Sequence, residues 1–496
     1  MKRAGFITLS MMVLVICLVF IGGEIARIGH LGLPLDDGFI HLQFARQLAV
    51  GNGLAYNDGQ LVTGSTAPLW TALLTLAHLL PGSPLLWTKA FGIVFLWLTA
   101  WLTRSLASEL GLPNGWSWGA AMLVPATPWL VWSAVSGMEI LLFTALSLAG
   151  LLLVCRASHL LALPIMALAY LARPEGALLV LLAFVFATAH AWSTRRWRDW
   201  WLGCFAAGAI LVPTLLIYWV IGGSILPTTF QVKAGGSLGW PDLRYFRLVI
   251  DILFRSQPLL LFTAGTGIVM LASTHRRHAL VAIGWLLGLP VAYAVLAHGS
   301  GPPPVGNFGR YYFPLLPLVI VFGLLGLHAV VKRHRTRALA VGLVLTLAQL
   351  ALLIDGHRRY LQNVADVEAS DVAAAHWLAT RLPPGAAVAA QDAGALKYFL
   401  PDHRLIDLAG LMSPEILPTL RPSDDSYWEQ GLFDFLAARR PAVLVVFPEY
   451  YPMLTRTPGF EPLERFPIPG NITMAGNELV IFSTPWHPGA VSGGTP

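Results

Sequence analysis

The chain has 496 residues, of which 56% are hydrophobic and 12% charged, and its formal net charge is +6. This composition excludes an ordinary soluble globular protein and predicts an α-helical polytopic membrane protein. The basic residues fall between apolar runs, without the interleaved aromatics of a nucleic-acid surface, so no nucleic-acid partner is predicted. The three cysteines all lie within apolar stretches, so no disulfide framework is predicted either.

The first apolar run, residues 6–23, follows Lys2 and Arg3 as the core of a signal peptide would. The residues after it, Glu24 to Arg27, do not form a small-residue cleavage site. We therefore expect an uncleaved first membrane span.

Two adjacent acids, Asp36 and Asp37, follow this span and precede a helix-like run that ends at Val50. Carboxylates beside a bilayer are costly unless they bind a cation, pair with a base or take part in proton transfer. The alternative is a pair of acids that caps the helix and interacts with its dipole. The local sequence leaves both interpretations open.

Further apolar runs predict about eleven transmembrane helices in all. The ten that follow the first are 85–108, 116–134, 138–155, 159–172, 175–192, 200–221, 258–273, 279–298, 311–331 and 338–355. The run 68–80 is also apolar, but it is short and ends at Pro81-Gly82, so we expect an interfacial helix there.

Loop charges predict the orientation. With the N-terminus in the cytoplasm, the inner loops carry most of the bases: Lys2, Arg3, Arg104, Arg156, Arg195, Arg196, Arg198, Arg276, Arg277, Lys332, Arg333, Arg335 and Arg337. The outer loops carry fewer, which is the positive-inside pattern. Counting 68–80 as a crossing would place these basic clusters outside.

With this orientation, polar motifs from separate parts of the chain fall on the outer face. They are Asp36-Asp37, Ser136 to Glu139, Arg173 to Glu175, Leu226 to Lys233 and Asn307 to Tyr312. Outer loops must contain some polar residues, but charges at span ends are candidates for function. We expect these motifs to converge on one site.

After residue 355 the sequence becomes mixed and Pro-rich. Alternating helix and strand patterns predict a soluble α/β domain at 356–487, outside the membrane, and a disordered tail at 488–496. Strands are expected at 386–390, 404–408, 442–447 and 478–483, with helices at 366–382, 395–400 and 427–439. Residues 1–355 would then form the transmembrane domain, with an outer loop at 31–84.

Several of these motifs, in this order, resemble those of the GT-C glycosyltransferases, nearest the mycobacterial terminal arabinosyltransferase (AftB-type) branch. The motifs are Asp36 to Arg46, Gly51 to Asn57, Gly64 to Trp70, Ser136 to Glu139, Arg173 to Gly176, Arg310 to Pro314, Asp392 to Tyr398 and Ile406 to Leu411. The resemblance covers almost the whole chain. Its first-loop block is specific in combination, whereas each three-residue motif alone is weak.

The resemblance implies a GT-C-like fold and an inverting transferase in the bacterial cytoplasmic (inner) membrane. Its donor would be a sugar on a polyprenyl-phosphate carrier, and its acceptor a hydroxyl of a glycan, lipid or protein at the outer face. An acid of the first loop is expected to deprotonate that hydroxyl, and some members of the superfamily hold a divalent cation there. Which sugar is moved, and whether Mg, Mn or Ca is needed, stay open.

The chemistry assigns provisional roles to the outer-face residues. Asp36 is the expected base, and Asp37 its support or, with Asp36, a cation ligand. A lipid-phosphate leaving group needs cations, for which Arg310 beside Tyr311, Lys233 and Arg173 are the candidates. Candidate sugar or acceptor contacts are Glu139, Glu175, His41, Asp392 and Tyr398.

Each candidate contact also has a structural interpretation. Glu139 and Glu175 could form boundary ion pairs, His41 could sit at the membrane interface, and Asp392 could cap a turn. A lipid-linked-sugar transporter is the alternative function. Such proteins tend to place charges near the midplane and to contain internal repeats, neither of which is evident here.

Overall fold

The computed structural model describes residues 2–228, 241–296, 307–332, 335–420 and 428–487. Lys233 and the predicted tail at 488–496 lie outside these described residues.

Helices make up most of the described chain. They are α1 (Lys2–Ile28), α2 (Asp36–Ala49), α3 (Pro68–Leu79), α4 (Pro84–Glu109), α5 (Asn114–Ala126), α6 (Pro128–Val135), α7 (Ile140–Cys155), α8 (His159–Ala172), α9 (Gly176–Thr194), α10 (Trp197–Gly222), α11 (Leu243–Ser256), α12 (Pro258–Thr274), α13 (Arg276–Leu296), α14 (Leu316–Val331), α15 (Arg335–Val367), α16 (Ala373–Ala379), α17 (Gly394–Phe399), α18 (Leu417–Leu420) and α19 (Trp428–Arg439). A π-helical segment, Glu368–Val372, joins α15 to α16.

The predicted fold class, a polytopic helical membrane protein with a C-terminal domain containing strands, is confirmed. Helices overlie all eleven predicted spans. In the part of the chain that is described, seven are long and apolar enough to cross a membrane, or up to nine if each sharply bent pair is one span. The bends lie between α6 and α7, at 118°, and between α11 and α12, at 113°. The segment 68–80 forms the short helix α3, as predicted.

The C-terminal part is built around a five-stranded sheet. Its strands are β3 (Ala387–Ala390), β4 (Arg404–Asp407), β5 (Val443–Val446), β6 (Pro462–Pro467) and β7 (Glu478–Ser483), whereas β1 (Ala55–Asn57) and β2 (Gln60–Leu61) form a hairpin in the first loop. The sheet order is β4-β3-β5-β7-β6, parallel at β4-β3-β5 and antiparallel beyond. Four of these strands correspond to predicted ones. β6 was not predicted, because its residues are mostly exposed and carry no apolar run.

Specific hydrogen bonds join the loop after α1 to this C-terminal part. The Tyr56 hydroxyl donates to the Ala393 carbonyl at 2.6 Å. The Asn57 amide both donates to and accepts from the backbone of Leu405, each at 2.9 Å. The C-terminal part is also connected to the membrane part by α15, which continues without a break past residue 355. The loop that carries the two aspartates therefore packs directly on the C-terminal part.

Candidate active site

Asp37 lies in the first turn of α2 and faces Arg310. The Arg310 Nη2 donates to Asp37 Oδ2 at 2.5 Å. Arg310 comes from the 3-10 turn Asn307–Tyr311, just before α14, so the pair joins segments 273 residues apart. The arginine side chain is 7% exposed and that of the aspartate 31% exposed, so the carboxylate stays accessible while its partner is buried.

A second buried arginine, Arg173, lies beyond the last residue of α8 and holds two acids. Its Nη1 donates to Glu139 Oε1 at 2.5 Å and its Nη2 to Glu175 Oε1 at 2.8 Å. The Tyr293 hydroxyl from α13 also donates to Glu175. Glu139 lies in the sharp break between α6 and α7, where the turn needs Gly137 at a φ of +78°.

The Tyr311 ring lies between the two guanidinium groups. The Arg173 Cζ is 5.1 Å and the Arg310 Cζ 5.4 Å from the ring centroid. A cation is attracted to an aromatic face at such distances. Tyr311 therefore holds two cations near one another and near Asp37.

His41 joins the same group from α2. It lies four residues after Asp37, and its Nε2 is 3.1 Å from Glu139 Oε2. Its Nδ1 is buried and has no hydrogen-bond partner among the described residues. One ring nitrogen of His41 is therefore close to a carboxylate, and the other can form a hydrogen bond with a ligand in the cleft.

These residues line one cleft, whose volume is about 430 Å³ when space open to solvent is included. Six of the predicted site residues line it: Asp37, His41, Glu139, Arg173, Arg310 and Tyr311. Glu175 contacts it through Arg173. The other six lining residues are apolar or small and received no role from the sequence, although all but Met412 lie within the motifs that carry the family resemblance: Ile40, Gly64, Thr66, Met138, Leu411 and Met412.

Asp36 does not line this cleft and turns toward the C-terminal part. Its Oδ2 accepts from the Gly394 N–H at 2.7 Å and its Oδ1 from the Ala395 N–H at 2.6 Å. These are the first N–H groups of α17, so the carboxylate occupies the helix N-terminus. Burial raises the pKa of Asp36 to about 7, against the lowering effect of the two N–H donors, with Asp37 and Asp407 adding to the rise.

The two candidates from the C-terminal part lie apart from the residues that line the cleft. Tyr398 packs on Phe39, with ring centroids 5.5 Å apart, and beneath the Arg46 guanidinium, 5.0 Å from the ring. Burial raises the pKa of Asp392 well above its ordinary range, and the nearby charges of Asp36 and Asp37 add to this. Both residues therefore border the contact between α2 and α17.

The aspartate pair does not fit a shared divalent cation in this arrangement. Asp36 uses both oxygens to accept backbone N–H groups, and Asp37 is paired with a guanidinium. In the described ranges, no three His, Cys, Asp or Glu side chains are grouped closely enough to hold a metal ion.

The sequence did not single out two polar groups near the site, one partly buried and one fully buried. Tyr293 lies within an apolar span, and only its contact with Glu175 distinguishes it from a packing residue. Asp371 is fully buried in the π-helical segment, and neither of its oxygens has a hydrogen-bond partner among the described residues. The sequence around Asp371 does not indicate that this side chain would be buried.

Comparison with known proteins identifies the fold. A family described as "Domain of unknown function (DUF8728)" matches residues 358–483, and a search of curated protein sequences finds no match. The chain is similar to ArnT from Cupriavidus metallidurans, with 15% identity and a TM-score of 0.62 over 100% of both chains. The same protein bound to undecaprenyl phosphate matches with 15% identity and a TM-score of 0.62 over 98% of this chain and 99% of that one.

An archaeal relative of larger size is also similar. The oligosaccharyltransferase AglB from Archaeoglobus fulgidus, in complex with an inhibitory peptide and a dolichol-phosphate, has 12% identity and a TM-score of 0.55. The match covers 99% of this chain and 77% of that one. Identities this low establish shared architecture only. The chain is a multi-pass membrane protein with the GT-C glycosyltransferase fold.

Proposed function

We propose that this chain is an inverting membrane glycosyltransferase that moves a sugar from a polyprenyl-phosphate carrier to an acceptor hydroxyl. The observation that carries the proposal is the Asp37–Arg310 pair in the cleft. It brings a proton acceptor and a phosphate-binding cation to one place. The fold adds support, because similar structures contain undecaprenyl phosphate or a dolichol-phosphate.

Asp37 is the proposed base, in preference to Asp36. Its carboxylate lines the cleft, whereas Asp36 is engaged by two N–H groups of α17. In the proposed step the acceptor hydroxyl gives its proton to Asp37, and its oxygen forms a bond to the anomeric carbon. The bond from that carbon to the phosphate oxygen breaks on the opposite face, and polyprenyl phosphate leaves with the electron pair.

Arg310 is the proposed phosphate ligand, aided by Tyr311 and Arg173. A carboxylate paired with a guanidinium is a weaker proton acceptor than an unpaired one. A donor phosphate that competes for Arg310 would therefore strengthen Asp37 as a base at the moment the donor is bound. Because Arg173 is already held by Glu139 and Glu175, whose two negative charges exceed its one positive charge, we assign it to positioning these acids and Tyr311 and not to binding the phosphate.

The remaining site residues are assigned to the sugar or the acceptor. His41 offers its unpaired Nδ1, and Glu139 lines the cleft beside it. Asp392 and Tyr398 are proposed to act through the contact between α2 and α17, since they do not line the cleft. Asp36 shares this role, and Lys233 stays a prediction as a further phosphate ligand.

The proposed setting is the inner membrane of a bacterium, with the N-terminus in the cytoplasm and the C-terminal domain outside. The distribution of bases between the loops supports this orientation. It places the cleft where a polyprenyl-linked sugar and an envelope acceptor could meet.

The test is a transfer assay with purified protein and a panel of polyprenyl-phosphate sugars. We expect release of free polyprenyl phosphate that depends on both an acceptor and Asp37. A lipid-sugar transporter would bind or move the donor without such release. Binding of the donor with no release for any sugar and acceptor in the panel would contradict the transferase assignment.

A further inference from the structure

A second cavity lies at the opposite end of the helices that frame the candidate active site. α8 begins at His159 and ends beside Arg173, and α9 begins beside Glu175 and ends at Thr194. The cavity forms where α8 begins and α9 ends, so it opens at the other membrane face. Its volume is about 840 Å³, with space open to solvent included.

Basic and aromatic groups dominate the polar part of its lining. These residues are Arg156, His159, His190, Arg196, Asp199 and Trp200. The two arginines are already paired, Arg156 with Glu109 at 2.8 Å and Arg196 with Asp199 at 2.6 Å. Both arginine side chains are more than half exposed, and such surface pairs are weak enough to be exchanged for another anion.

Arg277 supplies a third guanidinium behind the cavity. Its Nη2 lies 3.0 Å from the His159 Nε2 and 3.4 Å from the Val154 carbonyl. No carboxylate of the described residues pairs with it. This guanidinium therefore adds a positive charge that the local acids do not balance.

The same contact fixes which nitrogen of His159 carries the proton. Because Nε2 accepts from a guanidinium, the neutral ring must carry its hydrogen on Nδ1. That Nδ1 is buried and has no hydrogen-bond partner among the described residues. A buried N–H donor that lacks an acceptor at a cavity wall calls for an acceptor on a bound ligand, and the excess of bases around this one favours an anion.

Exposed aromatic residues place the cavity at the depth of lipid headgroups. Trp192 is 76% and Trp201 65% exposed, and both contact a cluster with Trp197 and Trp200. Exposed tryptophans concentrate at the membrane–water interface. Phe205, one turn further along α10, is 77% exposed and continues this surface into the apolar region.

We propose that this cavity binds the phosphate of an anionic phospholipid in the leaflet opposite the candidate active site. The His159 Nδ1–H donates to the phosphate, Arg277 behind it fixes that tautomer and adds positive charge, and Arg156 and Arg196 turn toward the phosphate from their present partners. The acyl chains lie along the exposed apolar face of α10. Basic pockets between membrane helices are suited to such headgroups.

The test measures lipid retention by the full-length protein, and it does not depend on transfer activity. Protein purified in a neutral detergent is given phosphatidylglycerol, phosphatidylcholine or inorganic phosphate, and bound ligand is counted by native mass spectrometry. We expect phosphatidylglycerol to bind at least tenfold more tightly than phosphatidylcholine. We expect Arg277→Gln and His159→Gln each to weaken its binding by about tenfold.

The control is Arg337→Gln, which removes an exposed base near the same membrane face, at the start of α15, without altering the cavity. It should retain the lipid as the wild type does, and Arg277→Lys should restore part of the affinity. Equal binding of the two phospholipids by the wild-type protein would overturn the proposal, as would equal losses in Arg277→Gln and Arg337→Gln. Binding of inorganic phosphate as tightly as phosphatidylglycerol would show that the cavity binds free phosphate. It would overturn the proposal that the ligand is a lipid.

Discussion

The Arg310 Nη2 lies 2.5 Å from the Asp37 Oδ2, joining the first turn of α2 to the turn before α14. One partner of this pair is buried and the other accessible. If Asp37 is the base, Asp37→Asn should lower the transfer rate by roughly 10²–10⁴-fold, because the amide cannot take the acceptor's proton. The measurement is acceptor-dependent release of polyprenyl phosphate.

The matched control for this change is Asp58→Asn, which alters an exposed acid of the same loop. It should transfer at nearly the wild-type rate. Near-normal turnover by Asp37→Asn, with Asp36→Asn inactive and still folded, would return the base to Asp36.

Removal of the Arg310 guanidinium should weaken both donor binding and turnover. We expect Arg310→Gln to raise the donor KM and to lower kcat, since the phosphate carries more negative charge as it leaves. Arg310→Lys keeps the charge but loses the planar donor geometry, so it should be intermediate. Arg244→Gln, which removes an exposed arginine paired with Asp242, serves as the control.

A double-mutant cycle tests whether binding of the donor phosphate to Arg310 makes Asp37 a stronger base. If a bound phosphate relieves the pairing of Asp37, the effects of Asp37→Asn and Arg310→Gln on kcat should be non-additive. Strict additivity in the cycle would argue against an exchange of partners at Arg310.

Deprotonation of Asp36 should make the folded chain less stable as the pH rises. Its pKa is raised by burial from 3.8 to about 7, so the folded state holds this proton more tightly than the unfolded state. The contribution of Asp36 to stability is therefore largest below about pH 4 and declines as the pH rises to about 7. The pKa of Asp407 is raised to about 6, also chiefly by burial, and acts in the same direction.

The measurement is Tm against pH, followed by tryptophan fluorescence. Between pH 4 and 7 the Tm of Asp36→Asn should fall less than that of the wild type. Asp355→Asn, at an exposed aspartate, should follow the wild type. A decline in Tm of the same size in all three proteins would show that Asp36 does not contribute to the pH dependence of stability.

The approach of Asp36 to α17 requires glycine at residue 394. A Cβ there would collide with the backbone oxygen and the carboxylate of Asp36. Gly394→Ala should therefore lower Tm and impair transfer by displacing the first loop from the C-terminal part. Gly119→Ala, at a helical glycine with open space around it, should leave both unchanged. Full activity in Gly394→Ala would show that this contact does not position the site.

Loss of Arg173 should destabilise the chain more than loss of a surface arginine. Arg173→Gln leaves the buried Glu139 and the partly buried Glu175 without their cation, at a cost of roughly 3–5 kcal/mol. The expected result is a lower Tm in detergent, against little change for Arg244→Gln. A Tm within experimental error of the wild type would instead indicate that Tyr293 and His41 suffice to hold the two acids.

The composition and the distribution of charges along the sequence were enough to predict the fold class of this protein. Apolar length predicted the helices, the loop bases predicted an orientation, and the strand patterns predicted four of the five sheet strands. Span counting was less decisive, because α8 is short and the chain bends sharply at Glu139. Those features depend on how neighbouring helices pack, and a hydropathy pattern does not contain that information.

Only the tertiary structure shows that the two adjacent aspartates have different surroundings. Asp36 and Asp37 have the same side chain and adjacent positions, so the sequence could not distinguish them. Residues more than 270 positions away in the chain distinguish them. The backbone N–H groups of Gly394 and Ala395 donate to Asp36, and Arg310 forms an ion pair with Asp37. Adjacent residues at the start of a helix point in different directions, and which direction leads to the cleft depends on what the distant chain places there.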